Sequence, residues 1–401
     1  MNSIQYLLNI ESKGIKLGLE RTQELMKKCN NPHRGLKSIQ VAGTNGKGSV
    51  CAMLANILKI AGYKTGLFTS PHLISINERI RINGEPIPNY EIDEFINNYK
   101  LHIESSNSTF FEAITALGFW YFKKNNVDFA IMETGLGGRL DSVSICEPIG
   151  TVITPISFDH IEILGETIEK IAYEKAGIIK KNIPCIVSKQ NKIAMEVIKK
   201  KCKDMNAPIH LVNNTNLSNK LFINIPGRVQ RENAELVINT IKNIKEITIS
   251  KSDIINGLKT VKWYGRNQQI KRKPLILFDV AHNIDGIKSF IEYFNSLKII
   301  GQSTLIIALQ ARKNISPITP LIQKNFNTII CSETNGRNHM PAKALSQSFT
   351  NKNKLKIVKN LELAIKSSLN KINSNDALAI IGSHYMGSAI NNIFNISFER
   401  Y

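Results

Sequence analysis

The chain has 401 residues, 42% of them apolar, which is enough for two separate cores and more than a single core usually takes. Lys and Arg number 52 against 32 Asp and Glu, a formal net charge of +20 at pH 7. Runs such as Lys199-Lys200-Lys201 and Lys271-Arg272-Lys273 are short and scattered, so the excess reads as solvated charge attractive to anionic substrates rather than as a nucleic-acid surface. The first residues show no basic region followed by a sustained apolar run, and the six cysteines have no CxxC or Cys/His ligand spacing. The expectation is a cytoplasmic protein with free thiols, neither secreted nor membrane-spanning, and without a zinc site.

Short apolar runs alternate with helix-length segments along the chain, the pattern of parallel sheets built from βαβ units. The first predicted strand, Ile39–Ala42, runs into Gly43-Thr44-Asn45-Gly46-Lys47-Gly48-Ser49, and a helix is predicted over Ser49–Ile60. Its Val50, Met53, Leu54, Ile57 and Leu58 share one stripe. Strand, glycine turn and helix are the context of a nucleotide phosphate loop. Glycines let N–H groups turn inward on phosphate oxygens, the helix N-terminus adds positive potential, and Lys47 reaches the terminal phosphates. The segment departs from GxxxxGK[ST], with Val41 at the first position and Gly48 between Lys47 and Ser49, so it is a variant loop. A glycine-rich turn with an incidental lysine is the bland alternative.

A second predicted strand, Thr65–Phe68, precedes Thr69-Ser70-Pro71-His72-Leu73. Strand Phe129–Met132 runs into Glu133 and Thr134-Gly135-Leu136-Gly137-Gly138-Arg139-Leu140-Asp141-Ser142. A carboxylate at the C-terminal end of a parallel strand stands where open α/β sheets bind ligands, which makes Glu133 a candidate magnesium ligand. Strand Thr151–Thr154 leads in the same way to Asp159-His160. Magnesium prefers oxygen and a single histidine is commonly structural, so His160 on its own leaves both roles open. Thr167–Ala176 predicts a short helix ended by Gly177, with Lys175 near its end, where a solvated lysine would be favoured by the helix dipole. Further strands are predicted at Cys185–Ser188, Leu275–Asp279, Leu305–Leu309, Thr328–Cys331 and Ala377–Ile381. The polar, basic stretch from Asn267 to Pro274 divides the chain into residues 1–268 and 269–401.

Taken together, Gly43 to Ser49, Thr69 to Leu73, Glu133 to Asp141, Asp159-His160, Glu174-Lys175-Ala176-Gly177-Ile178 and Asp279-Val280-Ala281-His282-Asn283 resemble the folylpolyglutamate synthase and dihydrofolate synthase family of the Mur ligase superfamily. Order and intervals match over nearly the whole chain. The resemblance implies an α/β protein: a P-loop, Mur-ligase-like domain with a parallel sheet, and a smaller Rossmann-like α/β C-terminal domain. It implies that Asn45, Gly46, Lys47, Gly48 and Ser49 hold ATP phosphates, and that Ser70, Glu133 and His160 bind Mg²⁺. Lys175 resembles the lysine that the family carries as a carbamate, which would support a second Mg²⁺ ion. In Gly227-Arg228-Val229-Gln230-Arg231-Glu232-Asn233-Ala234 the resemblance points to Asn233 as an adenine contact, with Val229 where the family often has His. Trp263-Tyr264-Gly265-Arg266 is similar to the family's Trp-Pro-Gly-Arg, which makes Arg266 a phosphate-binding arginine; Gly227-Arg228 is a competing Gly-Arg pair. Asp279 and His282 are implied in the nucleotide site.

For the pterin side the resemblance implies Leu17, Gly18 and Leu19 of Gly14-Ile15-Lys16-Leu17-Gly18-Leu19-Glu20-Arg21, then Phe110, Phe111 and Glu112, and Leu140, Asp141 and Ser142. Phe110 or Phe111 can stack on a flat pterin while Glu112 accepts its N–H donors. Alternatively, Phe111, Ile114, Thr115 and Leu117 are simply the buried stripe of a helix. The implied activity is ATP-dependent ligation of L-glutamate to dihydropteroate and to reduced folates through an acyl phosphate, with Lys47, Lys175, His160 and Arg266 as the catalytic set. A monomer with no nucleic-acid or membrane partner is expected. The rivals are another Mur-type ligase acting on a cell-wall precursor and a P-loop NTPase that binds nucleic acid.

Overall fold

The computed structural model describes residues 2–14, 16–212, 221–336 and 338–398; Ile15 of the N-terminal segment lies outside them. Two compact units emerge. The first contains the chain up to Asn224 together with Arg231–Lys262, and the second contains Ile225–Gln230 and Trp263–Phe398.

The first unit is organised on the strands β1 (Ser38–Ala42), β2 (Thr65–Phe68), β3 (Ile80–Ile82), β4 (Glu85–Pro86), β5 (Phe129–Glu133), β6 (Pro148–Ile153), β7 (Cys185–Val187) and β8 (Ile209–Leu211). They form one sheet in the order β4-β3-β2-β5-β1-β6-β7-β8. From β2 to β8 every neighbouring pair is parallel, and only β3 and β4 run antiparallel at one edge. β1 and β5 are buried at every residue, as central parallel strands covered on both faces must be. Among the described residues, apolar clusters on the sheet include one built on Phe68, Ala130 and Met132 and another on Ala42, Ile153, Cys185 and Val187. The helix Lys47–Ile60 buries Val50, Met53, Leu54, Ile57 and Leu58, the stripe expected from the sequence.

The second unit holds β9 (Gln268–Lys271), β10 (Leu275–Asp279), β11 (Ser303–Ile307), β12 (Thr328–Glu333), β13 (Leu355–Asn360) and β14 (Ala377–Ile381), in the order β13-β12-β11-β14-β10-β9. All neighbours are parallel except β9, which runs antiparallel to β10. The polar stretch at residues 267–274 contains β9 and belongs to this unit. The strand expected at Leu305–Leu309 is Ser303–Ile307, because the chain begins pairing at Ser303, opposite Ala377. All six cysteines are buried and free.

Candidate active site

Four neighbouring parallel strands of the first unit, β2, β5, β1 and β6, end at one edge of the sheet. Parallel strands deliver their C-terminal residues to the same side, so this edge collects Ser70 after β2, Glu133 at the end of β5, residues 43–49 after β1 and Asp159-His160 after β6. The phosphate loop is braced from below. The Thr44 N–H donates to Pro155 O at 2.9 Å, and the Thr44 hydroxyl donates to Ser157 O and accepts from Ser157 N, both at 3.1 Å. Gly46 closes the turn at φ +90°, where a Cβ would lie 2.7 Å from Asn233 Oδ1; the Asn233 carboxamide therefore sits directly against the loop. Lys47 is the first residue of the helix, with Nζ 3.3 Å from Thr44 O.

Two features of this edge fit a phosphate and a divalent cation. The Ser49 hydroxyl is buried and has no hydrogen-bond partner among the described residues, an unusual and costly condition that a ligand oxygen or cation would relieve. Lys175 is 5% exposed, and its Nζ donates to Gly43 O at 2.7 Å. Burial, reinforced by the Lys47 charge and opposed by Asp159 and Asp141, pulls its amine down to about 7. Nearby, Glu133 Oε2 accepts the Ser70 N–H at 3.1 Å. His160 takes the left-handed conformation, φ +50°. Its N–H donates to Asp159 Oδ1 at 3.0 Å, and its Nε2 lies 4.0 Å from Asp159 Oδ2. Among the described residues no three His, Cys, Asp or Glu side chains gather in metal-ligating geometry. A cation here would draw on Ser70, Glu133 and His160, with a modified Lys175 supplying a further oxygen.

The three segments expected on the pterin side lie in the same unit. Arg21, just after Leu17-Gly18-Leu19, pairs with Glu112 at 2.9 Å, and the hydroxyl of Thr22 reaches Ser142 at 3.1 Å. Phe111 packs edge-on to Phe68, with ring centroids 6.0 Å apart, and its ring lies on Gly135. Phe110 carries the Arg79 guanidinium over its face at 5.1 Å, and Arg79 donates to His72 Nδ1 at 2.8 Å. Burial, aided by the Arg79 charge, holds His72 down to about 3, so it is a neutral acceptor. Sequence reasoning gave neither Arg79 nor His72 a role.

Glu112 is 1% exposed. Besides its ion pair it accepts the Thr109 N–H at 2.6 Å and so caps the helix Phe110–Lys124. Asp141 is also engaged locally, accepting from Leu136 N at 2.8 Å and Val143 N at 3.0 Å; burial pushes its carboxyl up to about 6. Both side chains therefore hold local backbone in place. Glu112→Ala is expected to cost about 2 kcal/mol, the sum of a lost cap and a broken, partly solvated ion pair. The measurement is thermal unfolding, and an unchanged Tm would mean that neither interaction contributes.

In the second unit, β10 and β14 lie side by side and end together. Asp279 closes β10, its carboxylate held by Asn267 N at 2.6 Å and Ala281 N at 2.7 Å. Burial raises its carboxyl above the ordinary range, against the pull of Arg266. Arg266 Nη2 lies 3.4 Å from His384 Nε2, and the rings of His282 and His384 are 6.1 Å apart. Of the two Gly-Arg pairs, Arg266 thus joins this cluster, whereas Arg228 forms an exposed ion pair with Glu292 at 3.0 Å. His384, in the Gly382-Ser383-His384 run directly after the apolar strand β14, has no role in the sequence reading and joins the cluster only in the fold.

A variant phosphate loop on one mainly parallel sheet, followed by a second mainly parallel unit, is accompanied by sequence matches that make the chain an ATP-dependent ligase of the Mur type. Residues 41–249 match the Mur ligase middle domain, and residues 265–384 match the Mur ligase glutamate ligase domain. The chain belongs to the dihydrofolate synthase and folylpolyglutamate synthase family. It is 38% identical to the dihydrofolate synthase/folylpolyglutamate synthase of Bacillus subtilis in an alignment that covers 70% of this chain and 72% of that protein. It is 30% identical to the folylpolyglutamate synthase of Lacticaseibacillus casei in an alignment that covers 92% of each. Among solved structures, E. coli FolC in complex with DHPP and ADP superposes with a TM-score of 0.87 at 27% identity, covering 98% of this chain and 96% of that one.

Proposed function

We propose that the chain joins L-glutamate both to dihydropteroate and to reduced folates, acting as a monomer in the cytoplasm on small molecules only. What supports this reading is one arrangement: the phosphate loop, Ser70, Glu133 and Lys175 share a sheet edge with three pterin-side segments that Arg21–Glu112 and Thr22–Ser142 tie together. No helix among the described residues is long and apolar enough to cross a membrane.

A carboxylate is a poor electrophile, so the substrate carboxylate oxygen first attacks the γ-phosphorus of ATP and ADP departs. The glutamate amine then attacks the acyl carbon, phosphate leaves with the oxygen, and the amine nitrogen loses a proton. No side-chain nucleophile is needed; catalysis is positioning and charge neutralisation. Residues 45–49 cradle the phosphates, Asn233 holds the adenine side, and Lys47 and Arg266 offset phosphate charge, with Asp279 and His282 completing the nucleotide contacts. Mg²⁺, held by Ser70, Glu133 and His160 and by Lys175 as a carbamate, would supply further positive charge at the phosphates. Leu17, Gly18, Leu19, Phe110, Phe111, Leu140 and Ser142 line the pterin side, where aromatic faces suit a flat ring.

The deciding assay supplies ATP, Mg²⁺ and labelled glutamate with dihydropteroate or tetrahydrofolate in separate reactions. Label is expected in both products. Label with tetrahydrofolate alone would overturn the dihydrofolate synthase half, and label with neither would overturn the whole substrate assignment.

A further inference from the structure

Residues 69–79 connect β2 to the antiparallel β3 and carry Ser70 to the sheet edge where Glu133 ends β5. The two ends of this connection meet, since the Thr69 N–H donates to Arg79 O at 2.9 Å. Between them the backbone is gathered on one side chain. Glu78 Oε2 accepts the Leu73 N–H at 3.0 Å, and Oε1 accepts those of Ile74 at 2.8 Å and Ser75 at 2.7 Å. Three successive N–H groups thus form a concave nest, filled by the chain's own carboxylate.

The reaction described above gives this carboxylate no part. Glu78 is 6% exposed, and among the described residues no ion pair balances it, so its buried charge is offset by backbone donors of the loop. A helix cap does not account for the arrangement. Glu78 completes a capping box with Ser75, but such a box uses only the Ser75 N–H, and the helical turn it starts, Ile76–Arg79, has four residues. The N–H groups of Leu73 and Ile74 lie upstream, in the stretch that leads back to Ser70. The buried Arg81 donates from Nε to Glu78 O at 3.1 Å and so fixes the backbone from which the carboxylate reaches out. Displacing the loop would move two candidate cation ligands at once. Ser70 belongs to it, and the Ser70 N–H holds Glu133 Oε2 at 3.1 Å.

We propose that Glu78 is a positioning residue of the reaction: it holds the Ser70 loop against Glu133 and so sets the affinity for the divalent cation without touching it. The inference rests on the reading that Ser70 and Glu133 hold that cation. Groups that orient metal ligands from one shell further out are worth about ten- to a hundredfold in metal affinity.

The test uses the full-length enzyme and reads cation binding apart from turnover. Free Mn²⁺ is followed by electron paramagnetic resonance beside a non-hydrolysable ATP analogue, with an enzyme-free blank. Glu78→Gln keeps the size of the side chain but only one acceptor oxygen, so it cannot serve Leu73 and the Ile74–Ser75 pair together. It is expected to weaken Mn²⁺ binding about tenfold and to raise half-saturating Mg²⁺ for ADP formation comparably, with the rate recovering in excess Mg²⁺. Should Glu78→Gln not fold, Glu78→Asp, which keeps the charge and shortens its reach, carries the same expectation. Ser75→Ala removes the hydroxyl that accepts the Asn77 N–H but keeps the three bonds to Glu78, so it should lower Tm and leave Mn²⁺ affinity unmoved. Wild-type Mn²⁺ affinity in the Glu78 variant, or an equal loss in Ser75→Ala, overturns the proposal and leaves Glu78 a structural cap. Glu133→Gln separates this failure from that of the underlying reading. If it weakens Mn²⁺ binding while Glu78→Gln does not, only the role of Glu78 falls; if it binds Mn²⁺ as the wild type does, the cation site itself is overturned and the proposal with it.

Discussion

Lys47→Ala is expected to lower the ligation rate at least about a hundredfold, the scale at which removing one fixed charge-stabilising donor slows group transfer, and to leave thermal unfolding unchanged. Among the described residues Lys47 Nζ makes only a long hydrogen bond to Thr44 O, at 3.3 Å, so it contributes little to packing. The loop is held instead by Thr44 against Pro155 and Ser157, and these bonds survive the substitution. The helix start is also preserved, since Gly46 provides the left-handed turn. What disappears is the cation at the phosphate loop, where charge develops as phosphorus is transferred. Lys47 also lowers the Lys175 amine, so its removal favours a protonated Lys175 and the two defects compound. Single-turnover formation of ADP is the measurement, and a rate equal to wild type would remove Lys47 from the mechanism.

Central strands and their exits were legible in the sequence because a strand buried on both faces is written as an unbroken apolar run. Phe129–Glu133 and Ala377–Ile381 are such strands, and the residues that follow them inherit their position. Edge strands carry no such run. β13, Leu355–Asn360, has no fully buried residue, and β3 and β4 are three and two residues long, too short for any period to register. The second unit's claim on residues 225–230 was equally silent, since six residues that join a distant unit leave no compositional mark. At the candidate site, backbone-anchored groups such as Lys47, Ser49 and Glu133 could be placed from the strand and helix ends. Pairings between distant segments could not. Arg21 with Glu112 spans 91 positions, and Lys175 with Gly43 spans 132; only the folded sheet reveals that Glu112 is a cap and ion-pair partner.

The folded position of Lys175 makes it the residue whose modification should matter most. Its amine is buried beside Lys47 and donates to the Gly43 carbonyl of the phosphate loop, so in protonated form it brings a second cation into a crowded, poorly solvated place. Addition of CO₂ to the neutral amine forms a nitrogen–carbon bond, releases one proton from nitrogen and leaves a carboxylate able to hold a divalent ion. The unmodified enzyme should show the cost in its pH dependence. The folded amine sits at about 7 against an ordinary 10.5, so the unfolded chain binds the extra proton between those values. Stability therefore rises with pH from about 7 to about 10.5, and the penalty is complete below 7. Lys175→Met, of similar length and uncharged, should be at least as stable as the unmodified wild type at pH 7, which separates loss of activity from loss of fold. Lys175→Ala is expected to lose at least about a hundredfold in rate and to recover in part when acetate or formate is added to stand in for the carbamate. With ¹³C-bicarbonate and Mg²⁺, wild type should give a carbamate resonance that grows as pH is raised through 7 and is absent from Lys175→Ala. Full activity in Lys175→Ala, or an unmodified ammonium at Lys175 under those conditions, would rule the carbamate out.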